Sequence, residues 1–260
     1  MKLKNYEFKS DPYQHQLDTL KSSAHRNLFA LFLEMGLGKS KILLDNAGML
    51  FEEGKISGLL IVSPKGNLNN WDSNEISRHL PERIKRNVLV WQPNHTQRWT
   101  KAFKDMVQND STGVLNIFLV NVEAFATVKA CTHVEEFLVT HDAMMAIDES
   151  TTIKNPKAKR TKHLIKLGPL ADYRRILTGF PITKAPLDLY SQCYFLSPNL
   201  LGFSSFYAFQ ARYAITQSRQ MGRHAFQQVM GFQKLDELQE SIKDFSIRRR
   251  KEECLDLPPK

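Results

Sequence analysis

Lys39 and Ser40 follow directly on the turn Gly36-Leu37-Gly38, and the run Leu28 to Leu33 ahead of them is wholly apolar. Glycines let backbone N–H groups turn inward onto phosphate oxygens, and a helix beginning at such a turn adds a favourable dipole. With Ile42-Leu43-Leu44 opening an apolar helical face, strand, glycine loop and helix form the context of a phosphate-binding loop. Lys39 would then reach the β- and γ-phosphates, and the Ser40 hydroxyl would hold Mg²⁺. Leu33 occupies the first glycine of the strict Gly-x4-Gly-Lys-Ser/Thr pattern, so a glycine-rich turn without a ligand is the alternative. A second constellation is Asp148-Glu149, at the end of the apolar run Ala143 to Ile147. Two adjacent carboxylates at a strand end suit hydrolysis of a nucleoside triphosphate. Asp148 would hold Mg²⁺ through water, and Glu149 would polarise the attacking water. The plainer reading makes Asp-Glu-Ser-Thr a helix-start signature.

Both constellations need strands to position them. Short, nearly all-apolar runs recur at Gly58 to Val62, Val88 to Trp91, Val114 to Val120, Ala143 to Ile147 and Arg175 to Thr178. Strands buried on both faces of a parallel sheet read this way. Helical patterns separate them, at Asp11 to Ala24, Lys39 to Phe51, Thr132 to Thr140 and Lys157 to Leu170. The alternation predicts an α/β fold, a doubly wound and mainly parallel sheet with helices on both faces. Beyond residue 186 the pattern turns helical and aromatic, and Phe203, Phe206, Tyr207, Phe209 and Tyr213 read as core. Gln217 to Gly231 reads as a loop or hairpin, Leu235 to Phe245 as an amphipathic helix, and Leu257-Pro258-Pro259-Lys260 as a linker.

The 260 residues suffice for one large α/β domain or two small ones, and the net charge of +9 favours a polyanionic partner such as nucleic acid. Cys131, Cys193 and Cys254 are widely spaced, which argues against a disulfide framework or zinc site and for a reducing compartment. The N-terminus lacks the apolar core of a signal peptide, and no apolar stretch is long enough to span a bilayer. A soluble, cytoplasmic protein with no membrane partner is the expectation. The eight histidines show no ligand spacing, and Trp71 reads as a packing anchor.

Taken in order, the motifs resemble the first RecA-like lobe of a superfamily-two helicase, of the Swi/Snf-type double-stranded DNA translocase family. Pro12-Tyr13-Gln14-His15-Gln16 is similar to the adenine-reading glutamine motif, with Gln14 as the reader. Glu34-Met35-Gly36-Leu37-Gly38-Lys39-Ser40 matches the family's phosphate loop. Leu60 to Lys65, followed by Leu68 and Trp71, resembles the motif that lies against a DNA strand. Asp148 to Thr151 with Ile153-Lys154-Asn155 resembles the Asp-Glu-Ala-His box and its Ile-Lys-Asn extension. Leu177-Thr178-Gly179-Phe180-Pro181 resembles the Leu-Thr-Gly-Thr-Pro motif that couples nucleotide state to DNA grip, and Arg248 to Lys251 with Leu257 to Lys260 the segment leaving the lobe.

The resemblance implies ATP and Mg²⁺ as cofactors. Met35, Gly36, Leu37, Gly38, Lys39, Ser40 and Gln14 would contact the nucleotide. Ser63, Pro64, Lys65, Asn121 and Lys154 would contact DNA, and Thr178 and Gly179 would couple the two. It implies duplex DNA and a second RecA-like lobe as partners. Residues 1–200 would form the lobe, 201–246 a helical and loop extension, and 247–260 a basic linker towards the second lobe.

Departures from the family pattern are specific. Ser150 and Thr151 replace Ala and His of the box, Phe180 replaces the second Thr of Thr-Gly-Thr, and Asn121 stands where Thr or Ser is usual. They point to a divergent, compact member of phage or bacterial type. The second lobe and its arginine fingers are expected elsewhere, so the chain alone should hydrolyse ATP weakly or not at all; such a finger contributes about 10³–10⁵ in turnover. A strand-separating helicase or restriction-type motor lobe is the alternative within the class. A non-catalytic nucleotide- or DNA-binding module is the alternative outside it. The basic run Lys154 to Lys162 is either a solvated helix face or a phosphate contact, and Arg248 to Lys251 reads as a brace between lobes.

Overall fold

The apolar runs pair side by side in a computed structural model that describes residues 6–108, 113–221 and 224–254. In chain order the strands are β1 (Leu28–Leu33), β2 (Gly58–Ser63), β3 (Arg86–Val90), β4 (Leu115–Asn121), β5 (Ala143–Asp148) and β6 (Tyr173–Leu177). A separate antiparallel hairpin joins β7 (Ala214–Met221) to β8 (His224–Phe232), and β9 (Ser246–Arg249) returns to the main sheet. That sheet is seven-stranded and parallel, in the order β3-β4-β2-β5-β6-β1-β9.

Successive strand side chains point to opposite faces, and here both faces are apolar. Along β1, Phe29, Leu31 and Leu33 enter one core, and Ala30 and Phe32 enter the other. The first core is covered by α1 (Gln14–Ser23), α2 (Lys39–Glu52), α3 (Lys65–Asn70) and α4 (Ile76–His79), through residues such as Leu20, Leu43, Leu68 and Ile76. The second is covered by α5 (Gln97–Gln108), α6 (Val128–Thr140), α7 (Lys159–Leu167), α8 (Leu189–Leu196), α9 (Phe206–Tyr213) and α10 (Leu235–Ile242). A short α11 (Lys251–Cys254) follows β9. This is the RecA-like, doubly wound arrangement expected from the strand and helix patterns. Arg175 on β6 crosses one core fully buried, donating to Asn46 Oδ1 (3.2 Å) and to the carbonyls of Ser23 (3.0 Å) and Asn27 (3.1 Å). Burial pulls its guanidinium down to about 9, which still leaves it charged at neutral pH.

Several elements differ from the sequence reading. Helix α5 was not foreseen, although Trp99, Phe103, Met106 and Val107 all lie on its buried side. Gln217 to Gly231, read as a loop or hairpin, does fall in the β7–β8 hairpin. Tyr207, expected in the core, is 66% exposed, while Phe209 and Tyr213 are buried. The largest difference is at Arg248 and Arg249, read as part of a linker from residue 247. They belong to β9, which pairs with β1 from Ala30↔Ser246 to Leu33↔Arg249. An edge strand pairs through its backbone on one side only, and natural edges often carry charged side chains, so it lacks the apolar run that marked its neighbours. Residues 255–260, with Leu257-Pro258-Pro259-Lys260, lie outside the described residues. Among the described residues, no helix is long and apolar enough to cross a membrane.

Candidate nucleotide and magnesium site

Parallel strands bring the sequence-read motifs to one edge, the carboxyl ends of β1, β5 and β6. After β1 the chain turns through Gly36 (φ 84°) and Gly38 (φ 79°), a left-handed backbone that suits glycine, and α2 starts at Lys39. Lys39 Nζ donates to the Leu33 carbonyl at 3.0 Å, which folds the ammonium back over the loop. Burial lowers its pKa, and the nearby carboxylates of Glu149 and Asp148 act in the opposite direction. The inward-turning loop N–H groups and this ammonium suit an anionic ligand.

The loop is clamped from α1. The Leu37 carbonyl lies 3.0 Å from His15 Nε2 and accepts from Gln16 Nε2 at 3.3 Å, while Gln16 Oε1 accepts from the Tyr13 N–H at 3.0 Å. Gln16, buried, is therefore the glutamine that touches the phosphate loop. Gln14 is exposed and gives its amide to Asp18 at 2.9 Å. Gln14 does line a cleft of 420 Å³ with Tyr13, His15, Asp18 and Arg249. Met35 stands 65% exposed at the loop tip, and the Leu37 side chain is buried.

Asp148 is the best-partnered carboxylate of the group. Its Oδ2 accepts from Ser63 Oγ (2.9 Å) and Trp71 Nε1 (3.0 Å), and its Oδ1 from the Glu149 N–H (3.0 Å). Glu149 has a left-handed backbone (φ 48°), a conformation costing a non-glycine residue roughly 1–3 kcal/mol and concentrated at functional sites. Thr178 Oγ1 donates to Glu149 Oε2 at 3.1 Å, so the motif after β6 directly orients that carboxylate. A Cβ at Gly179 would lie 3.4 Å from both the Leu33 carbonyl oxygen and the Met35 nitrogen, which packs the same motif against the phosphate loop. Ser150, a departure from the family box, is buried and donates to Gln192 Oε1 at 2.7 Å. Gln192 Nε2 in turn donates to the Pro181 carbonyl at 2.7 Å. The replaced box residue thus ties the box to the Gly179–Pro181 loop.

The Ser40 hydroxyl and the Asp148 carboxylate are hard oxygen donors. Mg²⁺ takes one or two such protein ligands and fills the rest with water and phosphate. The residues fit that ion. The Glu75 carboxylate beside Ser40 is held below the usual range first by His79, then by Asn70 and Ser40. Lys251, on α11 and read from the sequence as part of a brace between lobes, stands beside the phosphate loop. Its N–H donates to Glu34 Oε2 at 2.6 Å, and its Cε lies 3.5 Å from where a Cβ on Gly36 would be. Its position depends on β9, whose register was not legible in the chain.

The residues expected at DNA separate into two groups. Lys65 is exposed at the start of α3, and Pro64 and Asn121 are half-buried at the same sheet edge, Asn121 giving its amide to Glu123 at 3.1 Å. Ser63 is fully buried and its hydroxyl is spent on Asp148, so it belongs to the carboxylate site rather than to a DNA surface. Lys154 is half-buried, bonded to Thr183 and 3.7 Å from the Asp188 carboxylate.

The SNF2-related domain profile matches residues 15–260, almost the entire chain. The chain belongs to the SNF2-related domain family. The bovine DNA annealing helicase and endonuclease ZRANB3 is 30% identical over 228 residues, covering 87% of this chain but 20% of that protein. The human TATA-binding protein-associated factor 172 is 40% identical over 117 residues, 44% of this chain and 6% of its own length. Among solved structures, the *Sulfolobus solfataricus* SWI2/SNF2 ATPase core superposes with a TM-score of 0.69 at 25% identity, over 98% of this chain and 47% of that one. The same core in complex with double-stranded DNA gives 0.69 at 24% identity, which speaks for the fold. This SNF2-family chain therefore spans about a fifth of ZRANB3 and just under half of the archaeal ATPase core.

Proposed function

We propose that this chain is the ATP-binding motor lobe of a SNF2-type translocase that moves along duplex DNA. The observation that carries the reading is the meeting of three separate motifs at one strand edge. Lys39, following β1 at the start of α2, feels the charges of Asp148 and Glu149 at the end of β5, and Thr178 donates to Glu149. A phosphate loop alone could be a turn, and a carboxylate pair alone could be a helix start. Their convergence with an orienting hydroxyl is the constellation of a phosphoanhydride hydrolase.

In this reading the loop N–H groups and Lys39 hold the β- and γ-phosphates. Ser40 and Asp148 would hold Mg²⁺, which would neutralise charge on the phosphates. Glu149, aimed by Thr178, orients the attacking water and receives its proton. The adenine lies by the cleft of Tyr13 and Gln14. Lys65 with Pro64 and Asn121 meets the DNA backbone, a contact that is salt-dependent and indifferent to sequence. The loop Thr178 to Pro181 joins the two, because it touches Glu149, the phosphate loop and, through Gln192, the box.

The phosphate loop, Lys39, Ser40, Asp148 and Glu149 all come from this one lobe. Full turnover then needs the other half of an ATPase core to supply compensating positive charge. ATP hydrolysis by the purified chain, with and without duplex DNA and beside Lys39→Ala, tests this. The expected result is Mg²⁺-dependent ATP binding lost in Lys39→Ala, with little turnover. Brisk DNA-stimulated turnover by a verified monomer would overturn the need for a second lobe.

A further inference from the structure

Between α3 and α4 the chain makes a π-helical turn, Trp71–Glu75, in which the Ile76 N–H reaches back five residues to the Trp71 carbonyl. In a regular α-helix, residues five apart point about 140° away from each other. The extra residue removes that offset, so Trp71 and Ile76 are both 2% exposed on the same side, while Lys65, Gly66, Asn67, Asn69 and Asn70 stay exposed on the other. Such insertions are frequent at functional sites.

The consequence lies at Asp148. Its Oδ2 has two lone pairs, and Ser63 and Trp71 take both, at 2.9 and 3.0 Å. Its Oδ1 gives one lone pair to the Glu149 N–H and keeps the other. The indole thus decides which oxygen of the carboxylate remains free and where it points. Packing alone does not require that; Trp71→Phe keeps a smaller apolar ring in the core but removes the N–H.

We infer that Trp71 is a positioning residue for the magnesium site, and that the π-turn links the exposed α3 face to Asp148. Nucleic acid seated on Lys65 and its neighbours acts on the same continuous helical segment whose next turn holds the carboxylate. DNA engagement and metal affinity are thereby coupled without any contact between DNA and nucleotide. The inference rests on the proposed Mg-ATP reading of the site.

The test is the Mg²⁺ concentration needed for half-maximal binding of a fluorescent ATP analogue, measured in wild type, Trp71→Phe, Ser63→Ala and Lys39→Ala. Far-ultraviolet circular dichroism checks that each is folded. Removing an outer partner of a metal ligand typically weakens metal binding 10–100-fold. Trp71→Phe is expected to need about tenfold more Mg²⁺, with binding restored at saturating Mg²⁺, and short duplex DNA should move the wild-type midpoint but not that of the variant. Ser63→Ala frees the other Oδ2 lone pair and should shift the midpoint in the same direction, which keeps the test available if Trp71→Phe does not fold. Wild-type midpoints in both variants would overturn the inference and leave the Mg-ATP reading standing. Mg²⁺-independent binding by wild type, or binding unaffected by Lys39→Ala, would overturn the Mg-ATP reading itself.

Discussion

Gly38 shows how tightly single atoms constrain the phosphate loop. It sits at φ 79°, and a Cβ there would lie 2.2 Å from Gln16 Nε2. A Gly38→Ala substitution both strains the backbone and dislodges the amide that bonds the Leu37 carbonyl. We expect it to lower unfolding free energy by about 1–3 kcal/mol in urea titration and to weaken ATP binding. An unchanged midpoint would contradict the clamp. Lys39, Ser40, Asp148 and Glu149 could be singled out as candidates because their chemistry and their neighbours are local in the chain. The roles of Gln16, Trp71 and Ser63 were not, since each is defined by a partner far away: Trp71 meets Asp148 across 77 residues. Side-chain type marked Trp71 as core, and only its indole direction reveals a second task. Gln14 and Gln16 differ in burial, which the sequence pattern around them does not separate.

Helix α2 carries a second electrostatic feature besides Lys39. Asp45 is fully buried with the Lys41 ammonium 3.0 Å away, and burial pushes its carboxyl up to about 6 despite that partner. The folded chain therefore holds the Asp45 proton more tightly than the unfolded chain does, for which 3.8 is the reference. Its contribution to stability is fully present below pH 3.8 and is lost as pH rises through about 6. Asn cannot ionise, so Asp45→Asn should gain in melting temperature relative to wild type as pH rises from 4 to 7. A difference that stays flat or reverses would show that the Lys41 pair outweighs burial. At this scale the inner strands were readable because each is buried on both faces. Edge strand β9 was not, because Ser246, Arg248 and Arg249 leave Ile247 as its one apolar side chain. Helix α5 carries an apolar stripe that went unread between two strands, although Trp99 and Phe103 are spaced for one face.

The described residues build one seven-stranded parallel sheet and a separate β7–β8 hairpin, and the candidate site gathers at one end of the parallel strands. That architecture followed from alternating apolar runs, and it explains why motifs separated by more than a hundred residues meet: β1, β5 and β6 are adjacent in the sheet, although far apart in sequence. Strand order is not written in any local pattern, so the closeness of Thr178 to Glu149 needed the fold. Across this edge the SNF2-family chain offers Lys39, Lys65 and Lys251, and it spans just under half of the archaeal ATPase core that shares its fold. The carboxyl end of the sheet is proposed above all as a Mg-ATP site. Isothermal titration of ATP into the protein, in Mg²⁺ and again in EDTA, beside Lys39→Ala, tests it most directly. Saturable heat in Mg²⁺ with wild type, reduced at least tenfold in affinity in both EDTA and the variant, is the predicted result. Equal binding in all three, or none with wild type in Mg²⁺, would contradict it.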